Sequence, residues 1–139
     1  MEIRKQGHCA YQCEYHVVIV SKYRRKIFNA GSFAYFTEIL KQVKELLPEV
    51  MILTMNHDAD HIHMHLSIPP KMRVSDVVRT IKSMSGGLLK KKFEYMRKSY
   101  WGVDGIWSDG YFASTVSKHG DENMIGKYVK TQGNQYQKL

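Results

Sequence analysis

The chain has 139 residues, 43% of them hydrophobic, which is enough for one folded domain over residues 1–139. Its two cysteines exclude a disulfide framework, and no apolar run approaches the roughly 20 residues of a membrane-spanning helix. The net charge of +8 favours a polyanionic partner such as nucleic acid, and the polar start of the chain predicts a cytoplasmic protein.

The first half of the chain predicts a strand followed by a helix. Residues 15–20 form an apolar strand that runs into a basic stretch, residues 22–26. Ser32 is a plausible cap for the helix that follows, and Pro48 ends it. The apolar residues at helical spacing are Phe33, Phe36, Ile39, Leu40, Val43, Leu46 and Leu47.

The second half predicts a hairpin, a helix, a strand and a last helix. Residues 50–55 and 61–68 read as strands joined by a polar turn over 56–60. Ser75 is a candidate cap for a helix that extends to Phe93, although Gly86 and Gly87 weaken its middle. A loop over 100–110, a strand over 111–117 and a helix from about 121 to 132 complete the chain.

This order of elements is typical of one α+β architecture. Strand, helix, strand, strand, helix, strand is the split βαβ, ferredoxin-like (RRM-like) order. We therefore expect a four-stranded antiparallel sheet with two helices on one face. The other face would be open, and the extra C-terminal helix would lie outside the repeat.

Histidines alternate with apolar residues along the third predicted strand. Because successive side chains on a strand point to opposite faces, His61, His63 and His65 share one face. Neutral imidazole is a common metal ligand, so this row predicts a metal site. The ordinary alternative is a set of half-buried structural histidines.

The last predicted helix carries a tyrosine and an amide on one face. Tyr128 and Gln132 are four residues apart, which aligns their side chains. Near the histidine-bearing strand, the amide oxygen could complete a metal shell and the phenol could act as a nucleophile. A mixed set of imidazole and oxygen ligands suits ions such as Mg²⁺ or Mn²⁺, with imidazole favouring Mn²⁺, Co²⁺ or Zn²⁺.

Together these residues resemble a known enzyme family. His61-Ile62-His63 is similar to the His-hydrophobe-His (HUH) motif, and Tyr128 with Gln132 matches a downstream Tyr-x-x-x-Gln motif. Residues 15–25, 60–70 and 107–115 also resemble family segments, in the family's order. The family is that of the single-tyrosine HUH transposases, the small TnpA-type enzymes of IS-two-hundred-like insertion sequences.

The resemblance implies a mechanism and the roles of individual residues. In the family a tyrosine attacks a phosphodiester of single-stranded DNA, leaving a 5′-phosphotyrosine and a free 3′-hydroxyl for later strand transfer. Carried over, Tyr128 is the nucleophile, and a divalent metal, Mg²⁺ or Mn²⁺, binds His61, His63 and Gln132. The family forms homodimers, so the resemblance implies that the Tyr128 helix of one subunit completes the active site of its partner. Its DNA substrates carry subterminal hairpins.

Basic residues form two clusters that predict contacts with DNA phosphates. Aromatic side chains lie among them and offer stacking surfaces for unpaired bases. The candidate DNA-binding residues are Lys22, Tyr23, Arg24, Arg25, Lys26, Arg79, Lys82, Lys90 and Lys91.

Two other functions compete with the transposase reading. One is a non-catalytic, RRM-like nucleic-acid-binding domain, which requires aromatic platforms on the two central strands. The other is a related HUH nickase or repeat-processing enzyme, which would cleave by the same chemistry. The small size and the single candidate tyrosine favour the transposase.

Overall fold

The computed structural model describes residues 3–6, 9–11, 13–116 and 128–130. Among these residues it has six strands, three helices, a helical stretch over 128–130 and a short 3-10 turn at Lys22–Arg24. The strands are β1 Arg4–Gln6, β2 Cys9–Tyr11, β3 Glu14–Val20, β4 Met51–His57, β5 His61–Ser67 and β6 Phe112–Thr115. The helices are α1 Ala30–Leu46, α2 Val74–Lys92 and α3 Glu94–Ser99.

The main sheet has the predicted ferredoxin-like topology. Its strand order is β4-β5-β3-β6, and each neighbouring pair is antiparallel. Because β5 and β3 are the central strands, the histidine row lies in the middle of the sheet. Separately, β1 and β2 form an antiparallel hairpin that the sequence did not predict.

One face of the sheet is covered by α1 and α2. Ile19 and Ile62 from the central strands are fully buried against Phe36 of α1 and Ile81 of α2. On β3, the alternate residues Val18 and Val20 belong to a separate apolar cluster on the opposite face. The alternation of the two strands therefore separates the packed core from the opposite face of the sheet.

Helices α1 and α2 begin at other residues than the sequence predicted. Asn29 caps α1: its side chain accepts a hydrogen bond from the Ser32 N–H at 3.0 Å, and the Ser32 hydroxyl accepts from the Asn29 N–H at 2.9 Å. Ser32 is thus the third residue of a capping box rather than the cap. Ser75 lies inside α2, whose N-cap position is Arg73 without a side-chain cap bond.

The second predicted helix ends at Lys92, within one residue of the expected Phe93. The short helix α3 that follows it was not predicted. The Gly86-Gly87 pair is helical. A Cβ on Gly86 would lie 3.4 Å from Cδ1 of Trp107, so the small residue lets the indole approach α2 closely.

The C-terminal part of the chain is described only in part. Residues 128–130 are helical, as expected, whereas Gln132 and the predicted start of that helix lie outside the described residues. In the part of the chain that is described, no helix has the length and apolar character needed to cross a membrane.

Candidate metal and DNA site

The three histidines of β5 lie on the face of the sheet opposite α1 and α2, as their alternation predicts. Across the ladder, His61 is paired with Val20 and His63 with Val18, both from the apolar cluster of that face. The rings of His61 and His63 are 4.7 Å apart between centroids. The open face of the central strands therefore carries imidazoles and valines rather than the aromatic platforms that an RRM-like binding domain requires.

His61 is held by two carboxylates at opposite edges of its ring. Its Nδ1 is 2.7 Å from Oδ1 of Asp60, and its Nε2 is 3.1 Å from Oδ2 of Asp58. The second oxygen of Asp60 accepts a hydrogen bond from Nε of Arg24 at 2.9 Å. A carboxylate at Nδ1 favours the tautomer that leaves Nε2 available as a metal ligand.

His63 completes a small cluster with the same carboxylate. Its Nε2 is 3.8 Å from Oδ2 of Asp58, and the ligand atoms of Asp58, His61 and His63 all lie within 4.8 Å of one another. Burial lowers the pKa of His63 below 6.5, and the neighbouring His61 lowers it further against the opposing effect of Asp58. A lowered pKa favours the neutral imidazole that binds metals.

His65 has different partners from the other two histidines. Its Nε2 is 2.9 Å from Oε1 of Glu14, a carboxylate that is only 5% exposed. Its ring is also 5.1 Å from that of His16, its cross-strand partner on β3. Glu14 and His16 therefore draw His65 into a separate group beside the metal candidates.

Tyr128 lies on the same face as the histidines but over different strands. Its ring is 5.7 Å from that of Phe112 on β6, and both residues pack against the cluster of Val18 and Val20. A Cβ on Gly110 would lie 3.7 Å from the Tyr128 hydroxyl. Val18 and Val20 are the cross-strand partners of His63 and His61, so Tyr128 packs over β3 and β6 beside the histidine strand.

The first basic cluster, residues 22–26, forms a tightly held turn after β3. Tyr23 and Arg24 have φ values of 63° and 54°, a left-handed conformation that non-glycine residues seldom adopt. The Ser21 hydroxyl donates to the Arg25 carbonyl at 2.6 Å and to the Asp60 carbonyl at 3.1 Å. These bonds tie the turn to the β4–β5 connection and bring Arg24 to Asp60.

The members of this turn are unequally exposed. Arg25 and Lys26 are exposed, and the Arg25 guanidinium lies 4.9 Å from the centre of the Tyr23 ring. Lys22 donates through Nζ to the Asp104 carbonyl at 2.5 Å. Arg25 and Lys26 thus present charge to solvent, while Lys22 and Arg24 also support the local structure.

The second basic cluster lines a groove between α2 and the loop before β6. The groove has a volume of about 1060 Å³. Lys82 donates to the Ser108 and Gly110 carbonyls at 2.8 Å each, and Lys90 donates to the Tyr100 and Val103 carbonyls at 3.0 and 2.6 Å. The basic residues of the lining are Arg79, Lys82, Lys90, Lys91 and Arg97.

Four basic residues of the groove fall into two pairs with different roles. Lys82 and Lys90 fix the loop to α2, and burial lowers the pKa of Lys82. Arg79 and Lys91 are exposed and leave their charge accessible to a polyanion. All four remain candidate DNA contacts, with Arg79 and Lys91 the better placed for phosphates.

The structure also identifies site residues that sequence reasoning missed. Asp58 and Asp60 flank His61, and Glu14 binds His65. An aspartate directly before the first motif histidine was a visible signal for a carboxylate–imidazole contact. The convergence of Asp58 on two imidazoles depends on the fold of the turn, which residue spacing does not specify.

The sequence is similar to that of known transposases. A family model described as "Transposase IS200 like" matches residues 9–132. The transposase for insertion sequence element IS200 from Salmonella typhimurium strain LT2 is 36% identical over 126 residues, which is 91% of this chain and 80% of the relative.

The fold is similar to that of two solved structures. A candidate transposase from Deinococcus radiodurans R1 superposes with a TM-score of 0.82 at 23% identity, covering 93% of this chain and 97% of its own. A REP-associated tyrosine transposase bound to a REP hairpin superposes with a TM-score of 0.58 at 13% identity, covering 98% of this chain and 74% of its own. At these identities the likeness is one of fold.

Proposed function

The chain belongs to the family of IS200-like transposases, and on that basis we propose that it cleaves and rejoins single-stranded DNA through a covalent bond to Tyr128. The proposal is carried by one observation: the converging imidazoles of His61 and His63 share the open face of the sheet with the Tyr128 phenol. In this assignment the whole chain acts as a single HUH transposase domain.

The reaction at Tyr128 exchanges one phosphate ester for another. The phenol loses its proton, and its Oη forms a bond to phosphorus while the bond from phosphorus to the 3′ oxygen breaks. The 3′ oxygen leaves as a hydroxyl after gaining a proton, and the 5′-phosphate remains on the tyrosine. A second 3′-hydroxyl then attacks the phosphotyrosine, which releases the phenol and joins the new strand. Each step is a transesterification, so no external energy source is needed.

The residues of β5 fit a divalent ion, which we propose is Mg²⁺ or Mn²⁺ held by His61, His63 and Gln132. The donor set supports this, because the buried imidazole of His61 and the half-buried imidazole of His63 both place Nε2 near Oδ2 of Asp58, and the pKa of His63 is lowered. When bound, such an ion polarises the scissile phosphate and offsets its negative charge. Arg24 and Asp60 act by holding the His61 ring in the orientation that this requires.

The position of Tyr128 supports an active site shared between two copies of the chain. Within one chain the Tyr128 ring packs on Phe112 of β6 and on the valine cluster of β3, to one side of the histidine strand. A homodimer in which the Tyr128 helix of one subunit reaches the histidines of its partner would bring the phenol and the imidazoles together. Cross-complementation tests it: mixing Tyr128→Phe with His61→Ala should restore cleavage if the site is shared.

The DNA partner is proposed to be single-stranded DNA with subterminal hairpins. The groove along α2 and the exposed charges of Arg25 and Lys26 support it by offering phosphate contacts outside the catalytic face. Substitution of both Arg79 and Lys91 by alanine should weaken binding of a hairpin oligonucleotide and lower the slope of log K against log salt by roughly one to two. An unchanged slope would show that the hairpin does not contact the groove. A cytoplasmic setting remains a prediction.

A denaturation-resistant adduct tests the covalent step. The protein is incubated with hairpin-bearing single-stranded DNA and Mn²⁺, and denaturing electrophoresis separates the adduct. Tyr128→Phe should lose the adduct and keep DNA binding, whereas the matched variant Tyr95→Phe, altered at an exposed ring on α3, should keep both. Adduct formation by Tyr128→Phe would refute the nucleophile assignment. Adduct without any joined DNA product would favour the nickase alternative.

A further inference from the structure

Asp58 stands out among the groups around the histidine pair because no motif assigns it a role. We infer that Asp58 is a ligand of the same divalent ion, so that one chain holds the ion with His61, His63 and Asp58 independently of Gln132. The inference rests on the proposed function, since it requires an ion at His61 and His63.

The distances within the cluster suit a shared ion. Oδ2 of Asp58 lies 3.1 Å from Nε2 of His61 and 3.8 Å from Nε2 of His63. Donors about 2.1 Å from a metal in tetrahedral or octahedral geometry are about 3.0–3.4 Å apart. Two of the three donor pairs are therefore within about 0.4 Å of this spacing, and all three ligand atoms lie within 4.8 Å of one another.

Asp58 is better placed for this role than Asp60. Both oxygens of Asp60 are engaged, one by Nδ1 of His61 and the other by Nε of Arg24. Asp58 instead faces the Nε2 side of His61, where Asp60 leaves the lone pair available. The two carboxylates thus act on opposite edges of one ring, Asp60 as a positioning residue and Asp58 as a ligand.

The backbone of the β4–β5 turn holds Asp58 above the histidines. The Asp58 N–H donates to the His61 carbonyl at 2.9 Å, and the Ala59 carbonyl accepts from the Phe28 N–H at 2.9 Å. The Asp60 carbonyl accepts from the Ser21 N–H at 2.9 Å. With the backbone fixed at three successive residues, little backbone entropy is lost when Asp58 binds an ion.

The charge and exposure of Asp58 complement the imidazoles. Two neutral histidines and an amide provide no negative charge, whereas Asp58 adds a hard carboxylate oxygen of the kind that Mg²⁺ and Mn²⁺ prefer. The Asp58 side chain is 68% exposed and that of His61 is 11% exposed. The ion would therefore lie between a buried anchor and an open side that a substrate phosphate can approach.

Metal titration of the full-length protein without DNA tests the inference. Mn²⁺ binding is measured by calorimetry and by the loss of the free-ion electron paramagnetic resonance signal. Asp58→Ala should weaken Mn²⁺ binding at least about tenfold, because even partners outside the first shell contribute 10- to 100-fold. The control Asp76→Ala removes the same charge from another exposed aspartate and should bind Mn²⁺ as the wild type does. Gln132→Ala should weaken binding less than Asp58→Ala does, because three donors of one chain still hold the ion.

The possible results separate this inference from the proposed function. Weaker binding by Asp58→Ala, with His61→Ala unable to bind and Gln132→Ala still binding, supports Asp58 as a ligand. Wild-type affinity in Asp58→Ala together with loss in His61→Ala overturns the role of Asp58 and keeps the histidine site. Failure of the wild type to bind Mn²⁺ overturns both. Asp58→Asn retains an oxygen donor without the charge and should give an intermediate affinity.

Discussion

Tyr100 makes the stability of the fold sensitive to alkaline pH. The side chain is fully buried, and its hydroxyl donates to the Lys22 carbonyl at 2.9 Å. Burial raises the pKa of Tyr100 from 10.0 to about 12, against smaller opposing effects of Ser21 and Arg25. Because the folded-state pKa is raised, this contribution to stability is complete below pH 10 and is lost as pH rises through 12.

The magnitude follows from the size of the shift. Each pKa unit corresponds to about 1.36 kcal/mol, so a shift of about two units is worth on the order of 2–3 kcal/mol in unfolding free energy. Tyr100→Phe removes this term and also the hydrogen bond to Lys22, which costs about 1 kcal/mol at neutral pH. The wild type should therefore be more stable than Tyr100→Phe at pH 8 and lose that advantage between pH 10 and 12.

Urea unfolding followed by circular dichroism at several pH values measures the difference between the two proteins. Tyr95→Phe is the matched control, because Tyr95 donates to the Ile27 carbonyl at 2.8 Å from a ring that is 38% exposed. Its difference from the wild type should vary much less with pH. A constant difference between the wild type and Tyr100→Phe across pH 8 to 12 would refute the argument from burial.

Three further substitutions test other contacts. Arg24→Ala should weaken Mn²⁺ binding severalfold in calorimetry, because Asp60 then holds His61 less firmly; unchanged affinity would show that Asp60 needs no second partner. His65→Ala should reduce Mn²⁺ affinity less than His61→Ala in the same titration, and the reverse order would change the choice of ligands. Gly87→Ala should raise the unfolding free energy by about 1 kcal/mol in urea, since nothing lies within 4 Å of its Cβ position; a loss of stability would contradict that spacing.

The sequence predicted the sheet and the histidine face because both depend on short-range alternation. In β5 the apolar residues Ile62 and Met64 alternate with histidines, and burial in the core leaves that strand one register only. The ferredoxin-like order followed from the succession of strands and helices. The alternation is visible in a few adjacent side chains, and the order of elements needs only their succession along the chain.

Features that depend on long-range contacts were not predictable. Asn29 and Ser32 are both good capping residues, and only the folded backbone shows which one precedes the first helical turn. Lys82 reads as a DNA contact in the sequence, yet its ammonium binds two carbonyls of a loop 26 and 28 residues away. Asp58 reaches two imidazoles because of how its turn is tied to neighbouring segments.

The backbone at Gly110 lies between two surfaces, the groove beside α2 and the face of the sheet that carries Tyr128. On one side its carbonyl accepts from Lys82 in the groove, and on the other the Tyr128 hydroxyl lies within van der Waals reach of its Cβ position. With a φ of 76° the backbone there also favours a residue without a side chain. Lys82 and Tyr128 thus approach the same backbone segment from two sides, and a side chain added at Gly110 would disturb both contacts at once.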